Sequence, residues 1–129
     1  MIVTKQQLLD LRNEVQNDLN DYVYVRKKHK LVIVGEERIM LQYAVDILNK
    51  LLQYLKTDTC NLEALEYTLT EQNWKTYSYS GKSMCSEKQL YKRLHLKPSK
   101  RRTIIDLLDI QTEFLEKAAF YILTRLEEL

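Results

Sequence analysis

The sequence predicts an all-α protein, a compact helical bundle ending in a long C-terminal helix, and three observations predict it. Two glycines and one proline occur in 129 residues, too few for a turn-rich β-sandwich or a long flexible linker. Hydrophobic residues reach 45% and recur at three- and four-residue spacing over long stretches, the period of an amphipathic helix. No helix breaker stands after Lys100. The length suits one domain with a core of its own, residues 1–129, in which 1–76 form an N-terminal helical part and 82–129 a second one.

Thr4 and Gln7 are spaced as a capping box and Val3 can staple onto Leu8, so a first helix begins at Lys5. Leu8, Leu11, Val15 and Leu19 line its apolar face. The stretch Tyr22 to Gly35 then interrupts the helical period with two β-branched runs around the basic cluster Arg26 to Lys30. A short β-hairpin at 22–34 and an extended connection fit equally, because the central residues hold no Gly or Asn for a tight turn. Glu36 and Glu37 suit the start of the next helix, whose broad apolar face suggests a central position with neighbours on more than one side. The segment Thr57 to Asn61 ends it and offers caps for a third helix over roughly 61–74. Tyr77 to Ser83 reads as a loop.

Ser86 and Gln89 form a second capping-box pair, opening a helix of about two turns that buries Leu90 and Leu94. Pro98 disfavours helical geometry at Lys97, and Ser99 is placed to cap the last helix. In that helix Leu108, Leu115, Ile122 and Leu129 share a heptad position, Ile105, Thr112, Ala119 and Leu126 lie beside them, and Leu107, Phe114 and Tyr121 form a neighbouring stripe. So wide a face implies burial on two fronts, the core and a partner copy, with Leu107, Phe114 and Tyr121 as the expected oligomer interface.

Catalytic chemistry is poorly supplied. Gly81-Lys82-Ser83 resembles the end of a phosphate-binding loop, but Thr76 stands where that motif needs its first Gly. His29 and His95 are isolated from metal-ligand or nucleophile spacings. No enzyme activity, metal or cofactor is expected. Cys60 and Cys85 read better as two reduced thiols than as a disulfide framework or a zinc site. Charges interrupt every apolar run before bilayer-crossing length and the N-terminus lacks the plan of a secretion signal, so a cytoplasmic protein without membrane contact is expected.

The net charge of +2 hides an asymmetry. Eight Lys or Arg and one acid, Glu87, lie between Lys82 and Arg102, leaving the rest of the chain five units negative. The two helices on either side of Pro98 thus make a basic, helix-turn-helix-like pair. In such a pair the first helix crosses the phosphate backbone and the start of the second meets the bases or flanking phosphates. Lys88, Lys92 and Arg93 belong to the first helix, Lys97 and Ser99 to the turn, and Lys100, Arg101, Arg102 and Thr103 to the expected first turn of the second. Leu90, Leu94, Leu96, Ile104, Ile105 and Leu108 are expected to lock the two together. The turn is longer than the compact form and lacks its Gly, and Asp106 and Asp109 would repel phosphate, so only the first turn can enter a groove. A surface ion pair between Arg102 and Asp106 would explain those two charges without a ligand.

Leu90 to Leu94 (LYKRL), Ser99, Ile104 to Asp109 (IIDLLD) and Phe114 to Tyr121 (FLEKAAFY) resemble the C-terminal half of phage-encoded transcriptional regulators of the ArpU and RinA type. The resemblance implies a sigma-like helix-turn-helix, control of phage or prophage late genes through duplex DNA, and assembly as an oligomer. Lys100, Arg101 and Thr103 would then face the groove, and RNA polymerase or another host protein would be a further partner. The competing expectation is a helical protein–protein interaction module that binds a host enzyme or polymerase and no nucleic acid.

Overall fold

The computed structural model describes residues 1–28, 35–70 and 87–129. In chain order they form β1 (Ile2–Thr4), α1 (Lys5–Lys28), α2 (Glu36–Tyr54), β2 (Thr59–Asn61), α3 (Leu62–Thr70), α4 (Glu87–Leu94) and α5 (Ile104–Glu127). Among the described residues the fold is all-α apart from a small antiparallel sheet, in which Val3 of β1 stands opposite Cys60 of β2.

The capping box at the start of α1 is formed from both sides. The Thr4 amide donates to Gln7 Oε1 (2.9 Å) and the Gln7 amide donates to Thr4 Oγ1 (3.0 Å), while Val3 and Leu8 are both fully buried. The helix then continues to Lys28, through the first half of the stretch expected as a hairpin or an extended connection. A helix already nucleated extends at one hydrogen bond per residue, and each β-branched residue costs it only about 0.5 kcal/mol against Ala. The second half of that stretch, 29–34, lies outside the described residues, as do the expected loop 77–83 and Ser86.

The strands come from the two ends of the N-terminal part instead. Three-residue strands are too short for a period-two pattern to show in a sequence. Here they tie the start of the chain to the α2–α3 connection, with Lys5 donating to the Asp58 carbonyl (2.7 Å) and Leu62 to that of Met1 (2.9 Å). The Asn61 side chain accepts from the Glu63 amide at the head of α3 (2.8 Å).

α2 is the central helix that its broad apolar face predicts. Leu41, Tyr43, Val45, Ile47 and Leu48 are all buried, and α2 packs on α1 and on α5. α5 in turn packs against α2, α3 and α4. This arrangement corrects the expectation of an external front for its second stripe. Leu107 is fully buried and the Phe114 ring stacks on Tyr43, centroids 6.3 Å apart and planes 15° from parallel. Tyr121 is half-buried, with its hydroxyl taking a bond from Arg125 (2.8 Å). Three neighbours within the same chain cover Leu107 and Phe114.

Among the described residues, Gln111 is the polar side chain buried in that core. It is 2% exposed and accepts a hydrogen bond from the Tyr43 hydroxyl (2.8 Å), which joins α2 to α5. Among the described residues no helix is long and apolar enough to cross a membrane.

Tyr43→Phe leaves the Gln111 oxygen buried without its donor and lowers stability by about 1–3 kcal/mol in urea denaturation. Pairing it with Gln111→Leu recovers most of that loss, because a buried polar pair replaced on both sides leaves nothing unsatisfied.

Candidate nucleic-acid interface

α4 is two turns long and held by one face. Leu90, Tyr91 and Leu94 are buried, and Lys88 and Lys92, one turn apart on the other side, are exposed. The helix ends at His95, whose φ of 54° is left-handed. The His95 amide donates to the Lys92 carbonyl (3.3 Å) and the Leu96 amide to that of Tyr91 (3.1 Å), the paired bonds of a Schellman cap. His is among the few non-glycine residues that tolerate this geometry. The turn therefore closes although its sequence contains no Gly.

From here the Tyr91 hydroxyl fixes the path of the chain. It donates to the Ser99 carbonyl (3.0 Å) and accepts from the Ser99 amide (3.3 Å). Ser99 Oγ accepts from the Arg101 amide (3.2 Å), and the Ser99 carbonyl also accepts from the Arg102 amide (3.3 Å). A single tight turn over 99–102 results. The Arg102 guanidinium bends back to the Lys97 carbonyl (3.3 Å).

Ser99 thus organises a turn and does not cap the last helix, as the sequence suggested. The cap is Thr103, whose hydroxyl accepts from the Asp106 amide (3.2 Å) while Asp106 Oδ2 accepts from the Thr103 amide (2.8 Å). A reciprocal box satisfies two helix-end donors and a lone serine only one, which is why the start lies at Ile104 and not at Lys100. Lys100, Arg101 and Arg102 stand before the helix rather than in its first turn. The helical spacing needed for an Arg102–Asp106 ion pair is lost with them, and Asp106 is engaged at the cap.

The residues expected to meet nucleic acid divide into two groups. Lys88, Lys92, Lys97, Lys100 and Arg101 are all exposed, and among the described residues none of them is held in an ion pair. The others have work within the fold: Ser99 and Thr103 organise backbone, Arg102 braces the turn, and Arg93 points to α2. Its guanidinium lies 3.5 Å from Asp46 Oδ2 and 5.6 Å from the centre of the Tyr43 ring. Two residues assigned to packing turn outward instead, since Ile104 and Ile105 are exposed. Helical phase could have found this for Ile105, which lies off the line of Leu107 and Gln111; Ile104 lies on that line, one turn ahead of Leu107, and is exposed at the first residue of the helix.

The electrostatics favour side chains over backbone as anion ligands. The Asp106 carboxylate occupies the positive end of α5, where a phosphate would otherwise gain from the helix dipole. Asp109, Glu113 and Glu116 add exposed negative charge further along. Burial between α2 and α4 raises the Asp46 carboxyl above its ordinary range, outweighing the opposing pull of Arg93, the Gln42 hydrogen bond and Lys50. Among the described residues no group of three or more His, Cys, Asp or Glu side chains is placed to hold a metal ion.

His95→Val is expected to be less stable than His95→Gly by about 1–2 kcal/mol in urea denaturation, since both lose the imidazole and only valine resists the left-handed backbone. Asp46 retains its proton to higher pH in the folded chain than in the unfolded one, so folding is penalised as pH rises through that window. The stability of the wild type relative to Asp46→Asn should accordingly decline from acid pH to just above the ordinary carboxylate range, as followed by thermal melting. The chain matches no family model, no curated protein and no solved structure.

Proposed function

We propose that this chain is a DNA-binding transcriptional regulator, of the phage or prophage kind that its C-terminal half resembles, acting by binding and not by catalysis. The observation that carries the reading is the set of five exposed cations without an ion pair among the described residues, Lys88 and Lys92 on α4 and Lys97, Lys100 and Arg101 on the turn after it. Elsewhere several cations are matched to acids, as Arg125 is to Glu14 and Lys117 to Glu36. Unpaired cations concentrated on one helix and its turn suit a polyanion, whose condensed counterions they release. With Asp106 at the helix end, phosphate contact falls to these side chains and groove contact to the tip of α5. Assembly into an oligomer, which the resemblance implies, would use the outer face of α5 and not the buried Leu107 and Phe114.

A second reading, a helical module that binds another protein, is favoured by Phe120. That ring is 72% exposed over a shallow depression lined by Glu36, Glu37, Met40, Lys117 and Tyr121. Under it Phe120→Ser abolishes capture of a partner and the five cations are dispensable.

Fluorescence anisotropy on random duplex DNA across a salt series tests the first reading. Five phosphate contacts predict that log K falls against log salt with a slope of about −4 to −5, and replacing Lys100 and Arg101 by Ala makes it shallower by about two. Arg93→Ala should leave that slope in place while lowering stability, because its charge serves Asp46. Unchanged DNA binding by the double variant overturns the proposal.

A further inference from the structure

Resting on that reading, we infer that Ile105, with Ile104 beside it, reads thymine 5-methyl groups in the major groove and gives the protein a preference for A·T-rich duplex. Ile105 is 66% and Ile104 37% exposed, at the first two positions of α5 after the Thr103 cap. Single exposed apolar side chains are ordinary on a protein surface. An adjacent β-branched pair close behind Lys100 and Arg101 is a different situation, because those cations bring the same end of the helix against phosphate.

The charges along α5 restrict what else can approach. Asp109, Glu113 and Glu116 are exposed along the helix behind Ile105, so a duplex meets the helix end-on at its first turn. The one acid of that turn, Asp106, is folded back onto the Thr103 amide. Asp106 stays exposed with its Oδ2 committed to the cap, and beside it the helix presents two isoleucines, whose side chains can neither donate nor accept a hydrogen bond. The apolar feature on the major-groove edge of DNA is the thymine methyl. A β-branched side chain, stiff about χ1, meets it with little loss of rotamer freedom. Polar base edges offer these side chains nothing, so discrimination rests on the methyl.

The test compares anisotropy binding to a duplex of alternating dA and dT with the same duplex carrying dU for dT, which removes the methyl and keeps the hydrogen-bonding edges. The wild type should lose about fourfold in affinity for each methyl it buries, Ile105→Ser should keep a smaller difference between the duplexes, and the double variant Ile104→Ser, Ile105→Ser should bind both alike. Circular dichroism checks that the exposed substitution leaves the helices intact. Equal binding of the two duplexes by the wild type overturns this inference while the phosphate contacts stand. A difference that persists undiminished in Ile105→Ser and in Ile104→Ser also overturns it, assigning the methyl effect to the duplex itself. Absence of binding to either duplex at low salt overturns both this inference and the DNA-binding reading.

Discussion

The governing constraint is that α5 carries an apolar face wider than any one neighbour can cover. Leaving either stripe in water would forfeit the burial that stabilises a chain of this size, so α2, α3 and α4 all gather on it. α2 holds its place by a second packing face toward α1 and by the Tyr43–Gln111 hydrogen bond within the core. The short helix α4 has little room of its own for stabilising contacts. It docks through Leu90, Tyr91 and Leu94, with Arg93 reaching across to Asp46, and its orientation is inherited from the helix it packs on.

That docking determines where the basic turn stands. Tyr91 is buried by its ring and bonded by its hydroxyl to both backbone groups of Ser99, so one residue belongs to the core and to the turn together. The turn is closed by local bonds at each stage: the left-handed His95, the Ser99 turn, and the Thr103–Asp106 box. With these backbone groups satisfied, the turn has few amides to offer an anion, and the groups it does offer are lysine and arginine side chains. The same closure engages the nearest acid, Asp106, in the cap at the tip of α5, where Ile104 and Ile105 are exposed beside it.

Much of the architecture was legible in the sequence because it rests on short-range patterns. The Thr4–Gln7 box, the central place of α2 and the helix pair around Pro98 all derive from caps, breakers and a 3.6-residue period. The features that escaped were decided by competition or by distance. Ser99 and Thr103 are both good caps, and only the reciprocal partner Asp106 settles the choice, which moves the start of α5 by four residues and leaves Lys100, Arg101 and Arg102 outside the helix. The Leu107 and Phe114 stripe carries no mark that says whether its neighbour is the same chain or another. Arg93 looks in sequence like Lys92, and only the position of Asp46, on a helix far away along the chain, separates them. The small sheet pairs residues nearly sixty positions apart along the chain, with three residues a side, so no local pattern announces it.

On the proposed reading, the basic turn and the tip of α5 form the surface that meets duplex DNA. The most direct test of that reading is the amide spectrum of isotope-labelled protein during titration with a short duplex at low salt. Shifts are expected to concentrate at the amides of Lys88, Lys92, Lys97 and Ser99 to Ile105, with the outer face of α5 from Glu113 to Phe120 undisturbed. Shifts confined to that outer face, or none at all, would contradict it.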